Sequence, residues 1–219
     1  MHYAHGYLGA EFFSPLANQR TDEYGGSLAN RTRFHLDALD AVRAVWPEEF
    51  PLTMRLGSDD LNPAGTQFDD AVTAIGWMKE HGLDLADLSL GFNTDAMQAN
   101  PFNDPGFMVE RAARVRNEVG IPVAASWNLG VPATADAVIK EEKIDMVYIG
   151  RPALSNPHLP VWPHASWATR TRSVSFRRTG AGGCATSGVT RTRSGCPGPP
   201  RSGRSWLRPR RPSGSKWPT

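Results

Sequence analysis

The chain has 219 residues and a formal net charge of +2 at pH 7. It contains no apolar stretch near the ~20 residues that a membrane-spanning helix requires, and its first residues lack the basic-then-apolar run of a signal peptide. Its two cysteines, Cys184 and Cys196, both lie near the C-terminus. These features predict a cytoplasmic protein with no membrane association and no disulfide framework.

The first seven residues include His2, His5 and Tyr7, whose side chains can donate hydrogen bonds. If residues 1–4 end a β-strand, a glycine turn after His5 can bring His5 and Tyr7 back toward His2. Such a cluster suits a site that binds an oxygen atom and delivers a proton. A metal site is disfavoured, because zinc takes three or four ligands and Glu11 is the only carboxylate nearby. Ordinary polar residues near a chain end are the plainer alternative.

Helices and strands are predicted to alternate along the next part of the chain. Ser27 can cap a helix that opens at Leu28, and Pro47 ends it. The apolar stripe of that helix is predicted to comprise Phe34, Ala38, Ala41, Val42, Val45 and Trp46. Strands are predicted near 51–56, 84–90, 121–126 and 145–149, and further helices at 69–80, 107–119 and 133–142. This rhythm indicates parallel strands with right-handed helical crossovers, in either a doubly wound sheet or part of a barrel.

A long motif then indicates a family. It reads His2-x-x-His5-Gly6-Tyr7-Leu8, followed by Phe12-x-Ser14-Pro15-x-x-Asn18-x-Arg20-Thr21-Asp22-x-Tyr24-Gly25-Gly26-Ser27-x-x-Asn30-Arg31-x-Arg33-Phe34. It resembles the old yellow enzyme family of flavin-dependent ene-reductases, in particular its xenobiotic reductase and NADPH dehydrogenase branch. The resemblance implies an α/β fold, an FMN-binding TIM barrel whose histidine pair follows the fourth strand. Residues 1–160 are therefore expected to be the C-terminal half of such a barrel, strands five to eight.

The resemblance also implies the residues that bind FMN. Catalytic and phosphate-binding groups of a TIM barrel lie at the C-terminal ends of its strands. Arg55 is expected to contact the pyrimidine edge of the flavin, with a structural salt bridge as the alternative reading. Trp127 and Asn128 follow the next-to-last strand, and Gly150 and Arg151 follow the last one. Backbone N–H groups of these turns and the Arg151 guanidinium are expected to hold the phosphate.

The implied reaction is reduction of an activated alkene. NADPH or NADH reduces FMN, and hydride then passes to the C=C bond of an enone or nitro-alkene, the small-molecule substrate. His2 and His5 are expected to hydrogen-bond the carbonyl or nitro oxygen, and Tyr7 to donate the proton to the α-carbon. Two positions depart from the family pattern: Tyr3 stands where members commonly have a small residue, and Asn128 where many have glycine.

Half a barrel is expected to leave two unpaired strand edges and an exposed apolar face. Two classes of function therefore stay open. In the first, the chain is an ene-reductase whose activity survives only within a longer product or with a complementing half. In the second, it is an inactive half-barrel fragment, which can associate with itself as a homo-oligomer, or a pseudogene product without catalytic function.

The C-terminal segment 165–219 has a different character. It contains twelve Lys and Arg, no Asp or Glu, and only four Leu, Ile, Val or Phe residues. Such a segment cannot bury enough apolar area to offset its ordering entropy, so it is predicted to be disordered. Translation of a GC-rich gene in a shifted frame explains the composition best. An ordinary disordered tail is the next reading, and nucleic-acid binding is the least favoured.

Overall fold

The computed structural model describes residues 1–158. Its elements, in chain order, are β1 (His2–Tyr3), α1 (Leu8–Phe13), α2 (Leu28–Arg43), β2 (Thr53–Gly57), α3 (Phe68–Glu80), β3 (Leu85–Ser89), α4 (Val109–Val119), β4 (Val123–Ala125), α5 (Pro132–Lys140), β5 (Met146–Val147) and α6 (Arg151–Ser155). The predicted disorder of residues 165–219, and the last two residues of the predicted 1–160 domain, lie outside the described part of the chain.

The strands form one parallel sheet in the order β1-β2-β3-β4-β5. His2 pairs with Arg55, and Arg55 with Asp87, so these residues lie at one level across three neighbouring strands. Asp87 in turn pairs with Ala124 on β4. The predicted alternation of parallel strands and helices is therefore confirmed, and all the strand C-termini meet at one edge of the sheet.

The sheet is covered by helices on the side that carries the apolar core. Met54 and Leu56 of β2 and Leu88 of β3 are no more than 1% exposed. They pack in one cluster with Ile75 and Met78 of α3, which are fully buried. All five residues of β3 are buried, as expected for a strand in a parallel sheet with both faces covered. This burial supplies the hydrophobic free energy that holds the strand ends in place.

The apolar stripe predicted for α2 is wrong in half of its members: Phe34, Ala38 and Val42 are half-buried, but Ala41, Val45 and Trp46 are exposed. The residues that α2 buries are Arg31, Thr32, His35 and Leu39, whereas Val45 is 82% exposed and Trp46 43% exposed. The helix also ends at Arg43, before both of these residues. Arg31 takes a buried position because its guanidinium donates to backbone carbonyl oxygens, and His35 because its ring packs against Tyr3 and Phe13.

The predicted cap of α2 is present. Ser27 is in an extended conformation, and its side-chain oxygen accepts a hydrogen bond of 3.3 Å from the backbone N–H of Asn30. Replacing Ser27 by alanine should lower the free energy of unfolding by about 1 kcal/mol, measured as the urea midpoint at constant m-value. Ser27→Asp is the control, since aspartate also caps. Equal losses in both variants would contradict a capping role.

The family-like motif forms an internally bonded loop between α1 and α2. The Asn18 side-chain amide donates to the carbonyl oxygens of Phe12 and Tyr24, both at 2.7 Å. The Arg31 guanidinium donates to the carbonyl oxygens of Phe13 at 2.9 Å and Gly26 at 2.5 Å. The motif therefore holds the end of α1, which begins directly after Tyr7.

Candidate active site

A cleft of about 1070 Å³ lies at the C-terminal ends of the strands. We call it the strand-end cleft. Six of the eight predicted site residues line it: His5, Arg55, Trp127, Asn128, Gly150 and Arg151. The other two lie beside it: the ring of His2 contacts that of His5, and the ring of Tyr7 contacts that of His2. The prediction that Arg55, Trp127 and Gly150 share one end of the sheet with His2 agrees with this arrangement.

The histidine cluster is shaped by a left-handed turn. His5 and Gly6 have φ values of +65° and +70°, which reverses the chain directly after β1. Gly6 is required here, because a Cβ atom would lie 2.9 Å from the Phe92 carbonyl oxygen. The turn brings the ring of His2 to 5.3 Å from that of His5 and 5.7 Å from that of Tyr7.

The turn is attached to the end of β3 through its backbone. The N–H groups of His5 and Gly6 donate to the carbonyl oxygens of Leu90 at 3.3 Å and Gly91 at 2.6 Å. Tyr7 is 64% exposed, so its hydroxyl is open to solvent at the rim of the cluster. The three donors predicted from the first residues thus form one group, with His5 the most deeply placed.

Arg55 points into the strand-end cleft and is held there by polar side chains of the next two strands. Its Nη1 lies 3.2 Å from Asp87 Oδ2, and its Nη2 donates to Ser126 Oγ at 2.7 Å. Its Nε and Asp87 Oδ1 are buried without hydrogen-bond partners. Burial raises the pKa of Asp87 to about 7, against the opposing effect of the Arg55 charge. The floor of the cleft therefore has one hydrogen-bond donor and one acceptor without partners.

Both histidines of the cluster favour the neutral form. Burial, then the charge of Arg55 and the neighbouring His2, lowers the pKa of His5 to about 4. Burial and Arg55 also lower the pKa of His2. At neutral pH His5 therefore carries a single N–H, and which ring nitrogen bears it decides what the ring can donate to.

The turn after β4 places two non-glycine residues in the left-handed region, with φ values of +71° at Trp127 and +55° at Asn128. Asparagine tolerates this conformation better than most residues, whereas a tryptophan there is strained. The Asn128 side-chain amide donates to the Phe102 carbonyl oxygen at 2.5 Å. The Trp127 ring packs 5.5 Å from that of Phe102 and 5.9 Å from that of Phe92. Both side chains are thus engaged with the loop that contains these phenylalanines, and the backbone of the turn borders the cleft.

The turn after β5 offers a cation and open backbone. A Cβ atom built on Gly150 would meet no atom within 4 Å, so the backbone there borders open space. Arg151 is exposed, lines the strand-end cleft and begins α6. Among residues 1–158, it takes part in no ion pair.

The sequence reasoning missed Asp87 and Ser126, which line the cleft, and Ser89, which lies within hydrogen-bond distance of His5, Trp127 and Arg55. The signal for two of them lies in β3, where Asp87 and Ser89 interrupt an apolar strand at a spacing of two and so share a face. Ser126 follows β4 directly and shows no comparable pattern.

Within the described residues, no group of three or more His, Cys, Asp or Glu could hold a metal ion. None of the helices described has the length and apolarity that a membrane crossing requires.

Comparison with known proteins agrees with the fold and extends it. Residues 1–164 match the sequence model of the NADH:flavin oxidoreductase / NADH oxidase family. The chain is 41% identical over 166 residues to an NADPH dehydrogenase of Geobacillus thermodenitrificans (strain NG80-2), covering 76% of this chain and 46% of that protein. It is 39% identical over 160 residues to the NADPH dehydrogenase of a Bacillus cytotoxicus strain, covering 73% of this chain and 45% of that protein.

Among solved structures, it resembles a 2-naphthoyl-CoA reductase complex, with a TM-score of 0.66 and 29% identity over 73% of this chain and 25% of that one. It also resembles the old yellow enzyme homologue of Zymomonas mobilis, with a TM-score of 0.58 and 22% identity over 78% of this chain and 50% of that one.

These likenesses define an α/β protein with the parallel sheet of the old yellow enzyme fold. The chain belongs to the NADH:flavin oxidoreductase / NADH oxidase family, as its motif predicted. It spans less than half the length of the two NADPH dehydrogenases that it matches.

Proposed function

We propose that this chain carries the FMN phosphate contacts and the substrate-oxygen contacts of an NAD(P)H-dependent oxidoreductase acting on the activated C=C bond of enones or nitro-alkenes. The observation that carries the proposal is the convergence on one cleft of two guanidinium groups, Arg55 and Arg151, with the neutral ring of His5. Family membership and the two NADPH dehydrogenase relatives support it.

The strand-end cleft fits an anionic ligand that also carries a polar ring. Its volume of about 1070 Å³ lies just above the usual range of small-molecule sites. At one end, Arg151 and the open backbone at Gly150 suit a phosphate group. Farther along, Arg55 Nε and Asp87 Oδ1 are buried and unpaired, so a donor and an acceptor remain for the edge of a heterocycle.

The position of each residue in the cleft would then set its role. Arg151 and the turns at Trp127–Asn128 and at Gly150 would hold the phosphate, and Arg55 would face the ring and stabilise negative charge on it. The bound flavin supplies hydride transfer between NAD(P)H and the substrate. The protein's own contribution is to bind, orient and polarise.

The histidine cluster would act on the substrate. Neutral His2 and His5 each donate one N–H, and two donors directed at a carbonyl or nitro oxygen stabilise the charge that develops there. Tyr7 lies beside His2 with an exposed ring and would donate the proton to the carbon next to the polarised group.

The test is a comparison of FMN with riboflavin, which lacks the phosphate. We expect Arg151→Ala to weaken FMN binding by roughly 10–100-fold, the equivalent of a lost charge-assisted hydrogen bond, and to leave riboflavin binding unchanged. Arg55→Ala should weaken both ligands. Arg33→Ala, on the exposed side of α2, is the matched control. The measurements are flavin fluorescence titration and NADPH-dependent enone reduction.

The described sheet is open, with β1 and β5 at its two edges, so part of any ligand in the cleft would face solvent. We therefore expect roughly micromolar-to-millimolar FMN affinity for this chain alone. This openness also favours the second candidate, an inactive half-barrel. That candidate predicts equal and negligible binding of FMN and riboflavin, no effect of either arginine substitution, and no turnover. Tight stoichiometric FMN binding with turnover would contradict both the expected affinity and the inactive candidate.

A further inference from the structure

Ser89 lies at a junction of three functional side chains. Its hydroxyl oxygen is 2.7 Å from His5 Nε2, 3.3 Å from Trp127 Nε1 and 3.4 Å from Arg55 Nη2. The residue has no exposed surface, so water does not compete for its hydroxyl. The backbone of Ser89 is held independently by β3 and by the Ser58 hydroxyl, which donates to its carbonyl oxygen at 2.9 Å.

The number of available protons settles the direction of these bonds. A serine hydroxyl has one hydrogen to donate and two lone pairs to accept with. The indole N–H of Trp127 and the guanidinium N–H of Arg55 can only donate, so they occupy the two lone pairs. The hydroxyl hydrogen is then left for His5 Nε2, which must be unprotonated to accept it.

The opposite tautomer of His5, with its hydrogen on Nε2, would leave hydrogen bonds of Ser89 unmade. If Nε2 of His5 carried the hydrogen, three donors would converge on one oxygen with two lone pairs. The Ser89 hydrogen would then lack an acceptor within residues 1–158, in a buried position where an unmade hydrogen bond costs about 1–3 kcal/mol. The 2.7 Å separation of Ser89 Oγ and His5 Nε2, the shortest of the three, agrees with hydroxyl donation to a neutral ring.

We infer that Ser89 is a positioning residue that holds His5 in the tautomer with its hydrogen on Nδ1. The inference rests on the proposed function only in assigning His5 to the substrate oxygen. With Nε2 occupied, Nδ1–H is the group that His5 can offer to a ligand, and it is a donor. The low pKa of His5, about 4, keeps the ring neutral at pH 7. The site therefore favours ligands that present an accepting oxygen, such as a carbonyl, a nitro group or a phenolate.

The experiment observes the tautomer directly, without flavin. The full chain labelled with ¹⁵N-histidine is studied by long-range ¹H–¹⁵N NMR at pH 7, where the coupling pattern shows which ring nitrogen is protonated. The His5 signals are those missing from a His5→Gln sample. We expect a single Nδ1–H tautomer in the unmodified chain and a mixture of tautomers in Ser89→Ala. Ser126→Ala, which removes the other hydroxyl partner of Arg55, should leave the His5 tautomer unchanged.

Each outcome of the NMR experiment either supports or overturns the role of Ser89. An Nε2–H tautomer in the unmodified chain overturns the inference even if Ser89→Ala does not fold. So does an Nδ1–H tautomer that persists unchanged in Ser89→Ala. Because no flavin is present, failure of FMN to bind would count against the proposed function and leave the tautomer result standing. An Nε2–H tautomer would likewise overturn the inference about Ser89 and leave the proposed function standing.

Discussion

Replacing Arg31 by methionine should lower the free energy of unfolding by about 2–4 kcal/mol, because two backbone carbonyl oxygens each lose a charged donor at a cost of about 1–3 kcal/mol. The Arg31 side chain is 9% exposed and lies 3.2 Å from Asp70. Its other donors satisfy the carbonyl oxygens of Phe13 and Gly26. Methionine fills a similar volume but donates nothing, so these groups lose their partner.

The control is Arg33→Met on the same helix. Arg33 is exposed and donates to the Glu23 carbonyl oxygen at 2.8 Å, so its loss should cost well under ~1 kcal/mol, as at most surface positions. Arg31→Lys should also destabilise the fold, because a single ammonium group cannot reach all three acceptors that the planar guanidinium of Arg31 contacts. Urea unfolding measures all three variants. If Arg31→Met and Arg33→Met shift the midpoint equally, the buried network is not what holds the motif loop.

Features encoded by neighbouring residues could be predicted from the sequence. The strands, the cap at Ser27 and the cluster of His2, His5 and Tyr7 depend on local spacing, capping and a single turn, and the structure has them where expected. The same holds for the common edge of the strand ends, which follows from parallel pairing alone.

Features that depend on the register between distant strands could not be predicted from the sequence. Arg55 meets Asp87 because β2 and β3 pair at that level, 32 residues apart in sequence. No local pattern specifies this pairing. The side chain of Trp127 likewise packs in an aromatic group that includes Phe102, whose position depends on the loop between β3 and α4.

The buried face of α2 illustrates a different limit. Hydrophobicity alone predicted a stripe through Ala41, Val45 and Trp46, yet the helix buries Arg31 and His35. A polar residue can take a core position when the surrounding fold satisfies it or encloses its ring in aromatic contacts. Such compensation is a property of the assembled structure, so a hydrophobic pattern does not reveal it.

His35 should make the stability of the fold depend on pH. The ring has no exposed surface, lies 4.7 Å from the ring of Tyr3 and 5.5 Å from that of Phe13, and neither of its nitrogens has a well-formed hydrogen bond. Burial lowers the pKa of His35 to about 4, although nearby backbone groups act slightly against this.

The sign follows from proton binding. Between pH 6.5 and about 4 the unfolded chain protonates this histidine and the folded chain does not, so stability falls as the pH falls through that window. The loss attributable to His35 is about 3 kcal/mol, at ~1.4 kcal/mol for each unit of pKa difference. The contribution of His35 to stability is fully present above pH 6.5.

Asp87 acts in the opposite sense over nearly the same window. Its pKa is raised from 3.8 to about 7, so its contribution to stability is complete below pH 3.8 and is lost as the pH rises toward 7. His5, whose pKa is lowered to about 4, acts in the same direction as His35. The measured pH dependence of the unmodified chain is thus a sum in which these contributions partly cancel.

Two substitutions should therefore change the slope of stability against pH in opposite directions. His35→Leu removes an acid-sensitive group and two unsatisfied nitrogens, so it should flatten or reverse the rise in stability from pH 4 to pH 7. Asp87→Asn leaves both histidines unopposed and should make that rise steeper. His81→Gln, at an exposed histidine bonded to Asp40, is the control for losing a histidine as such. Urea unfolding at half-unit steps of pH measures the slopes, and a change of the same sign in His35→Leu and Asp87→Asn would show that burial of these two groups does not govern the acid sensitivity of the fold.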